Sequence, residues 1–186
     1  YSLSSLEAKQ RQSGQGERRG LGSMVWGLAV VLMLGWNGQY IWQQFNKVDS
    51  LSYISGKVDR DTYLAWQLPE YTIMQHINTT LPESAKLLCL FMGWRGYYLD
   101  RPHVFDQEGN TTLLLAWMQE QGMTAEGLQH RLDQEGISHL LIRVDLFGQW
   151  LDQVGPVQQQ LWINFQQQYL SPNASHLYYA LYQVSL

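Results

Sequence analysis

The sequence LGSMVWGLAVVLMLGWNGQYIW, residues 21–42, contains no charged residue. About 20 apolar residues, rising about 1.5 Å each, are enough to cross the roughly 30 Å hydrocarbon core of a bilayer as one helix. Amphipathic rings that prefer the headgroup region stand along this stretch at Trp26, Trp36, Tyr40 and Trp42. We therefore predict a transmembrane helix over residues 21–42, which tethers the rest of the chain to a membrane.

The charges in front of this stretch predict its orientation. Basic residues outnumber acidic ones there, with Lys9, Arg11, Arg18 and Arg19 against Glu7 and Glu17. Because Lys and Arg are retained on the cytoplasmic side, residues 1–20 are expected to form a cytoplasmic tail or loop. Residues 47–186 are then expected to form an extracytoplasmic domain, and the expected location is a cell inner membrane.

Two alternatives to a membrane span stay open. A basic segment followed by an apolar run is also typical of a secretory signal peptide, although no small-residue cleavage site follows this run. A buried core helix normally has a polar face, and this stretch has none before Asn37. Since the chain begins with Tyr1 rather than Met, we also expect it to continue a longer protein on its N-terminal side.

Length and composition limit the number of domains and the classes of partner. About 140 residues follow the apolar stretch, which is room for one domain. The chain has 12 Lys and Arg and 16 Asp and Glu, and without the six charged residues before Gly20 the net charge is −6, which argues against nucleic-acid binding. The single cysteine, Cys89, lies in an apolar run and is expected to be a buried free thiol. The histidines lack the spacing of a metal site, so neither a metal nor another cofactor is expected.

Beyond the apolar stretch, helical and strand-like patterns alternate. Helices are predicted at residues 59–77 with an interruption at Pro69, at 112–121, at 124–134 with Thr124 as N-cap, and at 157–170. Strands are predicted near residues 86–92, 103–105, 138–144 and 176–184. This alternation predicts an α/β fold, a small Rossmann-like mixed sheet with flanking helices. The strands near 86 and 138 are expected to be parallel because two helices connect them, and the direction of the last strand stays open.

The densest group of unusual residues directly follows the first predicted strand. It reads GWRGYYLDRPHVFD, residues 93–106. Open α/β sheets bind ligands beyond the carboxyl ends of their strands, and this glycine-containing loop is expected to lie there. The two glycines form neither a Walker motif nor a dinucleotide-binding fingerprint. The loop is therefore a candidate ligand-binding segment without a phosphate-loop signature.

Four segments after the apolar helix carry a resemblance to a known family. They are YISGKVDRDTYLAWQLPEY (residues 53–71), INTTLPESAKLLCLF (77–91), GWRGYYLDRPHVFD (93–106) and EGISHLLIRV (135–144). In this order they resemble the C-terminal end of the multi-span, lipid-carrier-dependent GT-C glycosyltransferases, which include the dolichyl-phosphate-mannose protein mannosyltransferases and the bacterial aminoarabinose transferases. The resemblance covers residues 20–186 and implies the family's last membrane helix plus its extracytoplasmic domain.

The resemblance implies transfer of a sugar from a polyprenyl-phosphate carrier to an extracytoplasmic acceptor. The family's catalytic acidic residue lies in an early extracytoplasmic loop that this sequence does not contain, so no catalytic residue is assigned here, and neither Asp100 nor Asp106 takes that role. The domain is expected to be non-catalytic or to guide the substrate. The implied partners are the lipid bilayer, the polyprenyl-phosphate sugar donor and the rest of the transmembrane enzyme.

A substrate-binding hypothesis follows from this resemblance for the loop at residues 93–106. It comprises Arg95, Tyr97, Tyr98, Asp100 and Arg101. In this hypothesis, an arginine binds the phosphate of the carrier through two hydrogen bonds, and the tyrosines stack on its sugar. The plain alternatives are that Arg95 is a surface or salt-bridge residue, that one of the tyrosines belongs to the core, and that Asp100 and Arg101 pair across the turn at Pro102.

A second function class also fits the sequence: a single-span envelope protein whose outer domain binds a carbohydrate or a partner. The aromatic share of 13% favours carbohydrate or interface contact in either class. Three Asn-X-Ser/Thr triplets, at Asn78, Asn110 and Asn173, would be glycosylation acceptors in a eukaryotic lumen. The sequence leaves the choice between that lumen and a bacterial periplasm open.

Overall fold

The structure, a computed structural model, describes the backbone of residues 4–106 and 113–185 and the side chains of these residues from Met24 onward. The chain divides into two compact units, Tyr1–Arg60 and Asp61–Leu186. The first unit contains the helices α1 (Ser4–Val48) and α2 (Ser50–Ile54). Between them, Asp49 has a φ of 46°, in the left-handed region, where a helix does not continue.

Helix α1 includes the predicted membrane stretch. Its segment Met24–Val48 is long enough and apolar enough to span a membrane, and none of its most apolar window is buried inside the protein. A core helix of a soluble domain would be mostly buried, so this exposure removes that alternative. A signal sequence has the same length and composition, which leaves the membrane span and the signal sequence as the two interpretations.

The second unit is built around a sheet of five strands. The strands are β1 (Leu87–Leu90), β2 (His103–Asp106), β3 (His139–Arg143), β4 (Leu170–His176) and β5 (Tyr179–Val184). Their order across the sheet is β2-β1-β3-β5-β4. Strand β1 is parallel to β2 and to β3, whereas β5 is antiparallel to β3 and to β4. The predicted α/β class with a mixed sheet is confirmed, as is the parallel pairing of the strands near 86 and 138.

Helices cover both faces of this sheet. The remaining helices are α3 (Arg60–Gln67), α4 (Tyr71–Thr80), α5 (Leu114–Trp117), α6 (Ala125–Gln134), α7 (Val144–Val154) and α8 (Pro156–Tyr169). The side chains of β1 alternate between two cores, as in any strand buried on both faces. Leu88 and Leu90 pack with α5 to α8, while Leu87 and Cys89 pack with α4. The thiol of Cys89 is free and buried, as predicted.

Several predicted helix boundaries agree with the structure. The helix at 59–77 is interrupted between α3 and α4, next to Pro69, because proline removes a backbone donor. The Thr124 hydroxyl accepts a hydrogen bond from the Gly127 N–H at 3.1 Å, which confirms its N-cap role for α6. Helix α8, which begins one residue before the predicted 157, presents Leu161, Trp162 and Phe165 to the core.

Other predictions differ from the structure. The helix predicted at 112–121 is reduced to the four residues of α5, and its first residue lies outside the described part of the chain. Helix α7 and strand β4 were not predicted. The last strand was predicted from residue 176, but His176 ends β4 and β5 begins at Tyr179. The chain therefore forms a hairpin where the sequence predicted one continuous strand.

Candidate binding site at the carboxyl edge of the sheet

Four segments of the chain meet at one edge of the sheet. The parallel strands β1, β2 and β3 all end there, and the β4–β5 turn lies at the same edge because Tyr179 pairs with Arg143, the last residue of β3. The Val144 N–H donates to the Tyr178 carbonyl at 2.8 Å and fastens this turn to the end of β3. This carboxyl edge is where open α/β sheets place their ligands.

The chain turns sharply as it leaves β1. Phe91 has a φ of 58° and Gly93 also has a φ of 58°. For a phenylalanine this left-handed conformation costs on the order of 1–3 kcal/mol, which the surroundings must offset. The Phe91 ring packs against Phe147 at 6.1 Å and Trp150 at 6.2 Å, and these contacts hold the turn in place. As a result Trp94 lies outside the sheet with 81% of its surface exposed.

A polar cluster lies beside this turn, on the α4 side of the sheet. Glu70 is buried immediately before the first residue of α4, where the positive end of the helix dipole favours its charge. Its Oε2 atom lies 3.4 Å from the Tyr179 hydroxyl, which donates to it, and 3.9 Å from Nη1 of Arg95. The Arg95 side chain is 59% exposed. A buried carboxylate and a buried hydroxyl thus form the base of the site, and an accessible guanidinium forms its mouth.

Electrostatics within the cluster involve a second arginine. Arg143 binds Asp145 through two hydrogen bonds of 3.0 and 3.2 Å, which raise the pKa of the guanidinium further and occupy it. Burial raises the pKa of the Tyr179 hydroxyl, and Glu70 adds to this, while Arg143 and Arg95 act in the opposite direction. Tyr179 is therefore a neutral hydrogen-bond donor at physiological pH, and Arg95 is the accessible cation of the cluster.

The structure separates the five residues of the predicted substrate-binding set. Arg95 lies near the start of α4, whereas Arg101 lies at its end, donating hydrogen bonds of 2.6 and 2.8 Å to the carbonyls of Asn78 and Leu81. A helix of ten residues is about 15 Å long, so the two arginines do not share one ligand phosphate. Arg101 satisfies carbonyls at the C-terminus of α4, which is a structural role.

The two tyrosines of the set have different surroundings. Tyr98 is half-buried, with its ring edge-on to the rings of Tyr71 at 5.1 Å and Tyr97 at 5.0 Å. Tyr97 is 88% exposed. Asn78 holds this part of the loop by donating to the Tyr98 carbonyl at 2.8 Å and accepting from the Asp100 N–H at 2.9 Å. Tyr97 is thus an exposed ring next to a fixed stretch of backbone, and the Asp100 side chain is exposed near the far end of α4.

Gly96 fixes the path of the loop between Arg95 and Tyr97. A Cβ atom at this position would lie 2.6 Å from Nε2 of His103 and 2.6 Å from Cζ of Phe105. Both rings belong to β2 and stand edge-on to each other at 5.2 Å. Only a residue without a side chain lets the loop lie this close to β2, so Gly96 positions Arg95 and Tyr97 on either side of it.

Asp106 is a second acidic group at the carboxyl edge. It ends β2, is fully buried, and accepts a hydrogen bond from the Leu115 N–H at 2.9 Å. Its Oδ1 atom has no hydrogen-bond partner among the residues that the structure describes. Burial raises the pKa of Asp106 to about 6, against the opposing effect of the backbone N–H groups of α5. The carboxyl group holds the start of α5 and is inaccessible to a ligand.

An open groove between the starts of α6 and α8 offers no charged group to a ligand. It is lined by uncharged residues, among them Thr124, Pro156, Val157 and Leu161. Within residues 24–106 and 113–185, no three His, Cys, Asp or Glu side chains are grouped so that they could hold a metal ion.

The three glycosylation triplets differ in accessibility. The side-chain amide of Asn78 is engaged on both sides in the loop contacts described above. Asn173 is exposed on β4, and Asn110 lies outside the described residues.

Sequence reasoning identified Arg95 and missed the three residues that surround it. Glu70, Arg143 and Tyr179 come from α4, β3 and β5, which the strand order brings together. A signal for Glu70 was present, since it is an acidic residue directly in front of the apolar residues of a predicted helix. For Tyr179 the sequence offered no such signal, because a tyrosine in an aromatic strand is ordinarily a core residue.

Comparisons of the chain with protein-family models, with curated proteins and with solved structures give no match. The fold and the site define the protein by its architecture. It is a mixed α/β domain with a five-stranded sheet flanked by helices, preceded by one apolar helix, and it carries an arginine and exposed aromatic rings at the carboxyl edge of the sheet.

Proposed function

We propose that this chain is the last membrane helix and the extracytoplasmic domain of a membrane glycosyltransferase that takes its sugar from a polyprenyl-phosphate carrier. Its helix spans the inner membrane, and the domain lies on the extracytoplasmic side. The carboxyl edge binds the head of the carrier and guides it, and the catalytic residues belong to other parts of the enzyme.

The observation that supports this proposal most is the arrangement around Arg95. The guanidinium is mostly exposed, and its Nη1 atom lies 3.9 Å from Oε2 of Glu70, longer than a hydrogen bond. Planar guanidinium groups bind phosphate through two parallel hydrogen bonds. Arg95 can therefore offer its guanidinium to a phosphate that approaches from solvent, in competition with its contacts to Glu70 and Tyr179.

The neighbouring rings fit the sugar of such a carrier. Tyr97 is exposed two residues after Arg95, and its ring is supported edge-on by Tyr98. A supported, exposed aromatic ring offers a flat apolar face to a sugar at little entropic cost. The burial of Glu70 and Tyr179 behind Arg95 argues against a catalytic role for either, because a reacting group must reach the substrate.

Photo-crosslinking tests the binding site directly. The full chain is placed in lipid nanodiscs with a benzophenone-bearing farnesyl phosphate, and crosslinking to residues 94–98 is measured while undecaprenyl phosphate competes. We expect Arg95→Ala to weaken the competition about 10- to 100-fold, which corresponds to about 1.5–3 kcal/mol for a charged hydrogen bond. Arg95→Lys should lose less, because the charge remains.

Matched controls separate a phosphate site from general anion attraction. Arg131 carries the same charge but lies on α6, away from the carboxyl edge, and donates a hydrogen bond of 2.6 Å to Glu120. Arg131→Ala should therefore leave the competition unchanged. Phosphatidylglycerol should compete poorly. Equal losses for both arginine variants would refute the phosphate site.

The complete enzyme provides the second test. There, Arg95→Ala and Tyr97→Ala should raise the donor concentration needed for half-maximal activity, and unchanged activity and donor affinity would refute the proposal. A complete gene that encodes no further membrane spans would instead identify a single-span envelope protein whose outer domain binds a carbohydrate or a partner.

A further inference from the structure

The carboxyl edge carries apolar side chains that no other part of the domain covers. Trp94 follows β1, Val144 follows β3, and Leu177 and Tyr178 form the turn between β4 and β5. We call these four residues the apolar rim. Leu177 is 67% exposed and Tyr178 is 54% exposed, and both Trp94 and Val144 are also exposed. Four apolar residues from three separate segments thus lie at the edge of the sheet that also carries the Arg95 cluster.

The turn at Leu177 and Tyr178 shows that this exposure is not incidental to the fold. Leu177 has a φ of 51°, a conformation that glycine and asparagine adopt most readily. Two-residue hairpin turns at a protein surface favour these polar or small residues. The chain instead has two large exposed apolar side chains there, whose contact with water an apolar environment would remove.

The two edges of the sheet differ in their exposed charge. At the amino edge the exposed acidic side chains Glu83, Asp133 and Glu135 outnumber the cation Lys86, whose Nζ donates to the Glu135 carbonyl. At the carboxyl edge the exposed charge of the cluster is the cation Arg95, because Arg143 is occupied by Asp145. A surface rich in lipid phosphate would therefore be repelled less by the carboxyl edge, where Arg95 is exposed and its partner Glu70 is buried, than by the amino edge.

We propose that the apolar rim inserts into the headgroup layer of the bilayer to which the chain is anchored. Trp and Tyr rings favour this layer, and Arg95, which directly follows Trp94 in the same loop, then lies at the depth of the phosphates. The inference rests on the proposed membrane anchoring of the chain by α1. It extends the proposed function because docking presents the site to a carrier whose phosphate lies in the same layer.

Depth measurements with a fluorescent label test this docking. Single cysteines are introduced at the rim, as Trp94→Cys and Tyr178→Cys, and at the amino edge, as Glu83→Cys and Glu135→Cys. Each full-chain variant carries an environment-sensitive nitrobenzoxadiazole label in vesicles of phosphatidylcholine and phosphatidylglycerol. The native thiol gives little background because Cys89 is fully buried. A Leu32→Cys variant reports on α1.

We expect headgroup nitroxide lipids to quench the labels at positions 94 and 178 at least threefold more than those at 83 and 135. Lipids with a nitroxide deep in the acyl chain should quench the label at position 32. Equal quenching at the two edges, with the position 32 label still quenched, would overturn the docking and leave the anchoring intact. Failure to quench position 32 would overturn the anchoring itself.

A variant of the β4–β5 turn distinguishes a loss of membrane docking from a loss of folding. The double substitution Leu177→Asn and Tyr178→Ser removes the two apolar side chains and introduces residues that hairpin turns accept. Quenching of a label at position 94 should fall at least twofold in this variant, while its circular dichroism spectrum stays unchanged. If quenching at position 94 is retained in full, the rim does not hold the domain at the bilayer.

Discussion

The carboxylate of Glu70 accepts a hydrogen bond of 3.4 Å from the hydroxyl of Tyr179, a residue 109 positions further along the chain. This contact joins the start of α4 to the start of β5 across the carboxyl edge. The same Oε2 atom lies 3.9 Å from Arg95, so Glu70 holds one charge of a pair whose other member faces solvent. A ligand phosphate at Arg95 would compete with Glu70 for the guanidinium.

This competition predicts the effect of removing the charge of Glu70. The substitution Glu70→Gln keeps the size of the side chain and its ability to accept from Tyr179. Without the carboxylate, Arg95 should bind a phosphate about 2- to 5-fold more tightly, since a partly exposed ion pair contributes up to about 1 kcal/mol. The crosslinking competition with undecaprenyl phosphate measures this gain. A weaker competition in Glu70→Gln than in the wild type would show that Glu70 supports the ligand rather than competing with it.

Arg101 is predicted to stabilise the fold, in contrast to Arg95. Its guanidinium donates to carbonyls at the C-terminal end of α4, which the substitution Arg101→Ala leaves without these donors. We expect Arg101→Ala to lower the free energy of unfolding by about 1.5–3 kcal/mol, measured by urea unfolding of the full chain in nanodiscs. Arg95→Ala should have a much smaller effect on unfolding. Similar losses for the two variants would contradict the division of roles between them.

Gly96 provides a test of the loop path. The added methyl group of Gly96→Ala meets the ends of the His103 and Phe105 rings at 2.6 Å, so the rings or the loop must shift. We expect a loss of about 1–3 kcal/mol in the free energy of unfolding and weaker phosphate binding at Arg95. The matched control is Gly148→Ala in α7, where a Cβ would meet nothing within 4 Å. That control should leave binding unchanged, and equal behaviour of the two variants would refute the tight fit at Gly96.

Burial of Cys89 predicts that its thiol is unreactive in the folded chain. Burial raises the pKa of this thiol to about 12, so almost no reactive thiolate is present near pH 8. Ellman's reagent should react with less than one thiol in twenty within an hour in nanodiscs and with the full thiol content in 6 M guanidinium chloride. Rapid reaction in the folded chain would contradict both the burial and the low labelling background assumed for the depth measurements.

The sequence predicted the parallel part of the sheet because β1 and β3 are short apolar runs bounded by turns. It did not predict β4, whose residues Ser171, Pro172 and Asn173 are typical of a turn. Proline is tolerated here because β4 is an edge strand, and the register shifts between Pro172 and Ala174. Tertiary pairing with β5 therefore overrides the local preference.

Helix α7 shows a signal that was present and not used. Val144, Phe147, Leu151 and Val154 repeat with helical spacing directly after β3. For the site, the sequence could place Arg95 in a loop after a strand, which is a local inference. Its proximity to Glu70 and Tyr179 depends on β5 lying antiparallel beside β3, and local periodicity does not determine strand order.

The raised pKa of the buried Asp106 carboxyl group predicts that the stability of the folded chain depends on pH. Burial raises its pKa to about 6 in the folded chain, above the ordinary value of 3.8, so the folded state binds the proton more tightly than the unfolded state. The stabilisation from this proton is fully present below about pH 4 and is lost as the pH rises through 6. At about 1.4 kcal/mol per pKa unit the loss amounts to about 3 kcal/mol at neutral pH.

The substitution Asp106→Asn should remove this loss, because an amide oxygen can still accept from the Leu115 N–H and carries no charge. Urea unfolding of the full chain in nanodiscs between pH 4 and pH 7.5 measures the effect. The difference between Asp106→Asn and the wild type should grow with pH up to about 7 and then level off. His139 acts in the opposite direction, since burial lowers its pKa and its contribution is lost as the pH falls, but it cancels in this difference. A difference that stays constant with pH would show that Asp106 ionises in the folded chain as it does in the unfolded one.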